Sequence, residues 1–169
     1  MNAAYQRLTV CLATQTLTGW RRDGSAVVYP VSTAALGAGQ RHGSWQTPLG
    51  HHIIRAKVGQ GAAPGAVFVR RRATGEIWSE ALHAEYPERD WILSRILWLR
   101  GEERGHNRGG DVDSLRRFIY IHGTPELEPM GEARSHGCVR MTNADVIDLF
   151  DRVEVGTPVE IVAVAPVTA

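Results

Sequence analysis

Ser135-His136-Gly137-Cys138-Val139-Arg140 sets one of the chain's two cysteines between a histidine–glycine pair and an arginine, and His122-Gly123 stands thirteen residues ahead of Ser135. A thiol does nucleophilic work as a thiolate, so it needs a base or a positive field beside it. His122 is the candidate base for Cys138. A backbone carbonyl such as that of Gly123 would orient the imidazole through its other nitrogen. Gly137 lets the backbone approach a substrate closely, and the amides of Gly137 and Cys138 are candidate donors to an oxyanion. Ser135 can fix the loop by local hydrogen bonds. Arg140 is a candidate anchor for a carboxylate, held as a bidentate pair, with backbone carbonyls as its other natural partners. Arg134 and Arg95 are carboxylate anchors on charge alone.

The residues by themselves leave other readings open. A lone cysteine is most often a small buried hydrophobe, which is the reading of Cys11. The polar and glycine neighbours of Cys138 are atypical of a core strand. His122, His136 and Cys138 are also metal-ligating types, although the i, i+2 spacing of His136 and Cys138 is unusual for a structural zinc site. His42, His51, His52, His83 and His106 form no ligand pattern and read as surface or loop residues. The five tryptophans read as core, with Trp78, Trp91 and Trp98 as possible substrate platforms.

Strands and one helix must position this segment. Leu8 to Ala13, Leu17 to Trp20 and Ala26 to Val31 are β-like, with Asp23-Gly24 as a turn signal. Gly37, Gly39 and Gly43 mark a loop, and Thr47-Pro48-Leu49-Gly50 a turn into a strand over His51 to Val58. Gly59 to Gly65 is loop-like. A short helix starts at Ser79 and ends near Pro87. Trp91 to Leu99 is an apolar run, broken by Ser94 and Arg95, that fits a buried strand. Phe118 to Ile121 is a strand delivering His122 at its end. After Cys138, Thr142-x-x-Asp145 opens a helix whose buried face is Val146, Leu149, Phe150 and Val153. Gly156 and Pro158 stop it, and Val159 to Val164 closes the chain as a strand. The class is mainly β with one or two short helices. Cys138 is expected in a loop immediately before the capped helix.

Size and charge set the frame. The chain has 169 residues, 43% hydrophobic and 22% charged, with a net charge of +1. That reads as one domain over residues 1–165, without a global pull toward nucleic acid or anionic membrane. No stretch approaches the roughly 18 apolar residues of a membrane span. The N-terminal residues carry no secretory pattern. A cytoplasmic location with a free Cys138 thiol is therefore expected, or a periplasmic or wall location if the start is truncated. A monomer is expected.

The Ser135 to Met141 segment, together with His122-Gly123, resembles the signature of the L,D-transpeptidase (YkuD-like) catalytic domain: a histidine, a gap of bounded length, then Ser/Thr-His-Gly-Cys. Tyr29-Pro30-Val31-Ser32-Thr33 followed by Thr47-Pro48-x-Gly50, the Leu149-Phe150 helix and Gly156-Thr157-Pro158-Val159 extend the resemblance over essentially the whole chain. The resemblance implies a β-sandwich-like catalytic fold acting on peptidoglycan stem peptides. Cys138 would attack the L-centre carbonyl of the position-3 diamino acid, D-Ala at position 4 would leave, and a thioester would remain. His122 would be general base and then acid, with the Gly123 carbonyl orienting it. Ser135, His136, Gly137 and Arg140 would line the oxyanion and substrate site, with no cofactor and no metal. Water as acceptor gives an L,D-carboxypeptidase that trims tetrapeptides in recycling, and an amine gives a transpeptidase. The first is expected from the apparent lack of a secretory signal. Residues 60–117, and Trp91 to Gly110 in particular, are expected to form a cap or insertion over the site.

Overall fold

A computed structural model describes residues 4–167. Ten strands lie in chain order: β1 (Arg7–Cys11), β2 (Thr16–Trp20), β3 (Ala26–Pro30), β4 (Gly50–Val58), β5 (Ala66–Val69), β6 (Arg72–Ile77), β7 (Ile92–Gly101), β8 (Tyr120–Gly123), β9 (Val139–Met141) and β10 (Pro158–Val162). Helix α1 (Glu80–Glu85) precedes β7, and α2 (Asn143–Phe150) follows β9.

The path β3-β2-β1-β10-β4-β7 is continuous, and β8 and β9 continue it beyond β7. The sheet then curls back on itself. Beyond the end of β3, the Ser32 amide donates to the Arg140 carbonyl and the Arg140 amide to that of Ser32, at 2.9 and 2.8 Å. Inside the curl, Leu8, Val10, Leu17, Tyr29, Ile54, Leu97, Leu99, Ile121, Val139, Met141, Leu149 and Phe150 form one buried cluster. β1 and β2 contribute by alternation, broken at the end of β1 where Cys11 is buried next to Val10; their other outward residues are partly or fully exposed, as a strand with one wet face requires.

β7 is buried almost throughout because it has neighbours on both edges. It pairs with β4 from Ile96 to Gly101, with β5 at Ile92 and Leu93, and with β8 from Leu93 to Trp98. This corrects the expected cap. Trp91 to Gly101 runs through the middle of the sheet, since an apolar run of this length needs cover on both faces. The break at Ser94 and Arg95 is a β-bulge. Ser94 sits there at φ 70°, its hydroxyl accepting from the Gly65 amide and donating to Asn143 Oδ1.

The parts of 60–117 that flank the site are Asp90, Ile92, Arg117 and the β5–β6 hairpin, which sequence patterning missed. Its strands are short, and β6 is exposed along nearly its whole length, so it carries no apolar alternation. Residues Ala66 and Phe68 of β5 pack with Ile96 and Tyr120 on the outer face of the sheet, and the Cys138 side chain joins this second cluster. The hairpin turns through two residues, Arg70 and Arg71, both left-handed at φ 48° and 64°. Positive φ at both positions is what a type I′ turn requires, and Asn-Gly is its usual pair. Arginine there costs roughly 1–2 kcal/mol per residue.

Helix α2 begins as expected. Thr142 Oγ1 accepts from the Asp145 amide at 3.1 Å, a cap worth about 1 kcal/mol. The helix ends at Phe150, earlier than the i+7 pattern implied, and Val153 is buried from the turn that follows. The chain's single lysine explains how that end is closed: Lys57 Nζ, reaching over from β4, donates to the carbonyls of Phe150 and Val153 at 2.7 Å each. A cation at a helix C-terminus also opposes the macrodipole.

Candidate active site

β8 and β9 are parallel neighbours, with Ile121 opposite Val139 and His122 opposite Arg140. Alternation then sorts the side chains. Ile121, Val139 and Met141 enter the inner core, while Tyr120, His122, Cys138 and Arg140 line one cavity on the other face. Trp45, Arg70, Arg71, Asp90, Ile92, Arg117 and Phe118 contribute further to this cavity, whose volume is about 380 Å3. β9 was not foreseen, because three residues are too few to show a period. Cys138 lies in a loop, as expected, but that loop leads into β9, one element earlier than α2. His122 lies within β8 and is only 1% exposed. Phe118 precedes that strand, half exposed and left-handed at φ 56°.

The imidazole is oriented as the sequence suggested. His122 Nδ1 lies 2.7 Å from the Gly123 carbonyl oxygen. A carbonyl only accepts, so Nδ1 carries the proton and Nε2 is left as the basic nitrogen. Burial pulls the His122 pKa below its ordinary value, opposed by the Gly123 bond and the negative charge of Asp90. The ring is therefore neutral near pH 7. Gly123 admits no side chain: a Cβ would stand 2.5 Å from the Leu93 carbonyl oxygen and 2.7 Å from Asn143 Oδ1.

The thiol differs from expectation. Cys138 Sγ accepts from the Tyr120 amide and donates to the Phe118 carbonyl, both at 3.3 Å, and makes no hydrogen bond to His122. Burial pushes the Cys138 thiol up to about 12. The Tyr120 bond lowers it, Asp90 reinforces the rise, and Arg140 and Arg117 oppose it. The resting pair is a neutral thiol and a neutral imidazole, and not the thiolate that nucleophilic work requires.

The loop around Cys138 is tightly bonded. Ser135 Oγ donates to the Cys138 carbonyl at 2.6 Å and accepts from the Gly137 amide at 3.2 Å. The Gly137 amide is thus engaged and is not a free oxyanion donor, while the Cys138 amide has no partner among the described residues. Gly137 itself sits at φ 132°, a region that favours glycine, and its carbonyl accepts from Thr47 Oγ1 at 2.9 Å. Here Thr47, in the early Thr-Pro-x-Gly turn, meets the nucleophile loop.

Arg140 is in the site, but its fork is already engaged. It donates to Asp90 Oδ1 at 3.0 Å, lies 3.8 Å from Glu128 Oε2, and reaches the Arg134 carbonyl. This corrects its assignment as a free carboxylate anchor. Asp90, which also lies 3.6 Å from His136 Nδ1, was missed because it sits in a polar turn fifty residues from its partner. His136 is exposed at the rim, edge-on to Trp45 at 5.5 Å between ring centres. Trp45 is the tryptophan at the cavity, 59% exposed and left-handed, whereas Trp91 is buried behind β7.

The charge-only anchors lie elsewhere. Arg95 is buried, bonded to the carbonyls of Ala62 and Ser94, and Arg134 pairs with Glu132 on the surface. Arg117 was missed although it donates to the carbonyls of Gly39, Gln40 and Gln46 and to Ser44 Oγ, tying the glycine-rich loop to the cavity wall. His52 is buried, not superficial: its Nε2 lies 2.8 Å from Ser114 Oγ, and burial lowers its pKa to about 4. Among the described residues, no three His, Cys, Asp or Glu side chains are grouped to hold a metal ion, and no helix is long and apolar enough to cross a membrane.

Comparison with known proteins agrees with this geometry. Residues 5–161 match the family model described as the L,D-transpeptidase catalytic domain, YkuD. The chain is 32% identical over 96 residues to the probable L,D-transpeptidase YbiS of Escherichia coli K12, covering 56% of this chain and 30% of that protein. It is 47% identical over 52 residues to the putative L,D-transpeptidase YqjB of Bacillus subtilis, 30% of each chain. Each match thus spans about a third of the relative's length. Among solved structures, L,D-transpeptidase 3 from Mycobacterium tuberculosis superposes with a TM-score of 0.56 at 17% identity, over 91% of this chain and 59% of the other. Bd1075 of Bdellovibrio bacteriovorus gives 0.57 at 15% identity, over 96% and 48%. At such identities these two likenesses are likenesses of fold. With the histidine, its orienting carbonyl and the Ser-His-Gly-Cys loop gathered at one cavity, and the family model matched over residues 5–161, this chain belongs to the L,D-transpeptidase catalytic domain family.

Proposed function

We propose that the protein is a cysteine-dependent acyl-transfer enzyme acting on peptidoglycan stem peptides, at the L,D bond between the position-3 diamino acid and D-Ala at position 4. The observation that carries this reading is the shared cavity face of β8 and β9, with Cys138 beside a buried, neutral His122 whose Nδ1 is held by the Gly123 carbonyl.

Substrate entry draws Sγ away from the Phe118 carbonyl toward His122. His122 Nε2 takes the thiol proton as Sγ attacks the substrate carbonyl carbon. The Cys138 amide donates to the oxyanion that forms. Collapse breaks the C–N bond, and His122 returns the proton to the departing D-Ala nitrogen. The thioester left on Cys138 is then attacked by water, with His122 accepting its proton, and the free acid and thiol are released. Proton transfer coupled to attack suits two neutral groups, because no stable thiolate has to exist beforehand.

Water is the acceptor in this reading, since Cys138 is only partly covered. The product is then a tripeptide, and the reading we favour is a cytoplasmic role in trimming recycled fragments; cell fractionation tests that location. A second reading, with an amine as acceptor, is favoured by one observation. A neighbouring cavity of about 250 Å3 lies across Trp45 and His136, lined also by His42, Gly43, Arg117 and Ile119, and offers a place for a second peptide. Incubation with a muropeptide tetrapeptide followed by mass spectrometry tests both. Loss of one alanine supports hydrolysis and dimers support transpeptidation. An unchanged substrate, or full activity in Cys138→Ala, removes the proposal.

A further inference from the structure

The cavity holds four arginines and a single acid. Asp90 is taken by Arg140, and Arg117 is committed to neutral oxygens. Arg70 and Arg71 remain, and neither has an acidic partner among the described residues. Both occupy the strained turn of the β5–β6 hairpin, at the cavity wall.

Arg71 is held in place from two sides. Its guanidinium carbon stands 4.5 Å from the centre of the Trp98 ring and 5.0 Å from that of Phe118. Its Nη1 donates to Tyr120 Oη at 2.8 Å. Stacking and one hydrogen bond fix the plane of the fork and leave other N–H donors without partners. A guanidinium so fixed loses little freedom when it binds a planar anion. Arg70 beside it is exposed and adds charge. Left-handed backbone at two adjacent non-glycine residues is strain of the kind that persists at ligand sites, and here it turns both side chains toward Cys138's cavity.

We propose that Arg71, supported by Arg70, is a carboxylate receptor that makes the enzyme select peptides carrying a free carboxylate on one of the two residues joined by the scissile bond, over the same peptides amidated there. The inference rests on the proposed action on stem peptides for the identity of its ligand. Two carboxylates share this chemistry: the C-terminal one of the leaving residue and the one on the far centre of the diamino acid.

Binding tests it without turnover. The Cys138→Ala protein is titrated calorimetrically with three tetrapeptides: both carboxylates free, the C-terminus amidated, or the diamino acid amidated. The free acid should bind about 30-fold more tightly than one of the amides, the size expected for a charge-assisted pair. The amide that loses affinity identifies which carboxylate is read. Adding Arg71→Gln, which removes the charge and keeps a polar side chain, should erase the difference by weakening the acid alone. Arg71→Lys should restore part of it, and Arg70→Gln, at an exposed position, should narrow it. Equal binding of all three peptides to the Cys138→Ala protein overturns the proposal, as does an acid preference that Arg71→Gln leaves intact. If the acid is preferred while the unmodified enzyme cuts none of the peptides, the receptor stands and the proposed reaction falls.

Discussion

The floor and the rim of the cavity are built differently. On the floor, His122, Gly123, Ser135 and Arg140 are buried, and apart from His122 Nε2 their polar side chains are held by named neighbours, Gly123 O, Cys138 O and Asp90 among them. On the rim, Trp45, Arg70, His136 and Phe118 are exposed, and three of them sit in left-handed backbone. Groups that must meet at one carbon are fixed by strand pairing, where a slip of one residue would turn them to the other face. Groups that recognise what enters are on turns, where sequence can vary without disturbing the sheet. In the proposed function, chemistry belongs to the floor and selection to the rim.

The largest test of that contrast is Cys138→Ala. It should reduce acyl transfer by about 10^4-fold or more, with the thermal midpoint little changed, because a partly covered side chain contributes little packing. A second test asks how far burial holds the floor neutral. With its pKa raised toward 12, Cys138 is almost entirely thiol at neutral pH, and its thiolate fraction grows about tenfold per pH unit below that value. Iodoacetamide labelling of Cys138, read by mass spectrometry, should rise continuously from pH 7 to 10. A plateau in that range would mean a preformed ion pair with His122.

Gly123→Ala probes the floor's geometry. The added methyl meets the Leu93 carbonyl and Asn143, so denaturant unfolding should report a loss of about 1–3 kcal/mol. Activity should fall further than stability, because the shifted carbonyl no longer aims the imidazole. The smallest effect belongs to the rim. Trp45→Ala should leave stability within about 0.5 kcal/mol, as for other exposed sites, while raising KM and sparing kcat. A matching fall in kcat would move Trp45 from the rim to the floor.

Much of this molecule was legible in its residues. Turn signals and apolar runs placed the early strands and β7, and the Thr142 cap placed the start of α2. The motif from His122 to Cys138 offered a candidate nucleophile, base and orienting Gly123 carbonyl, and the structure brings His122 and Cys138 to one cavity with the Gly123 carbonyl on His122 Nδ1. Local chemistry suffices wherever a motif is contiguous or a period lasts several residues. What needed the tertiary structure were the pairings between distant segments: Asp90 with Arg140, Thr47 with Gly137, Lys57 with the end of α2, and β9 with β8. The same is true of the thiol's protonation. A sequence shows a cysteine and a histidine, but only packing shows that Sγ rests against the Phe118 carbonyl and the Tyr120 amide. Desolvation and long-range charge set a pKa, and both are properties of the folded surroundings. Arg70 and Arg71 make the point at the rim: as letters they are two arginines among many, and the hairpin turn alone brings them to the cavity.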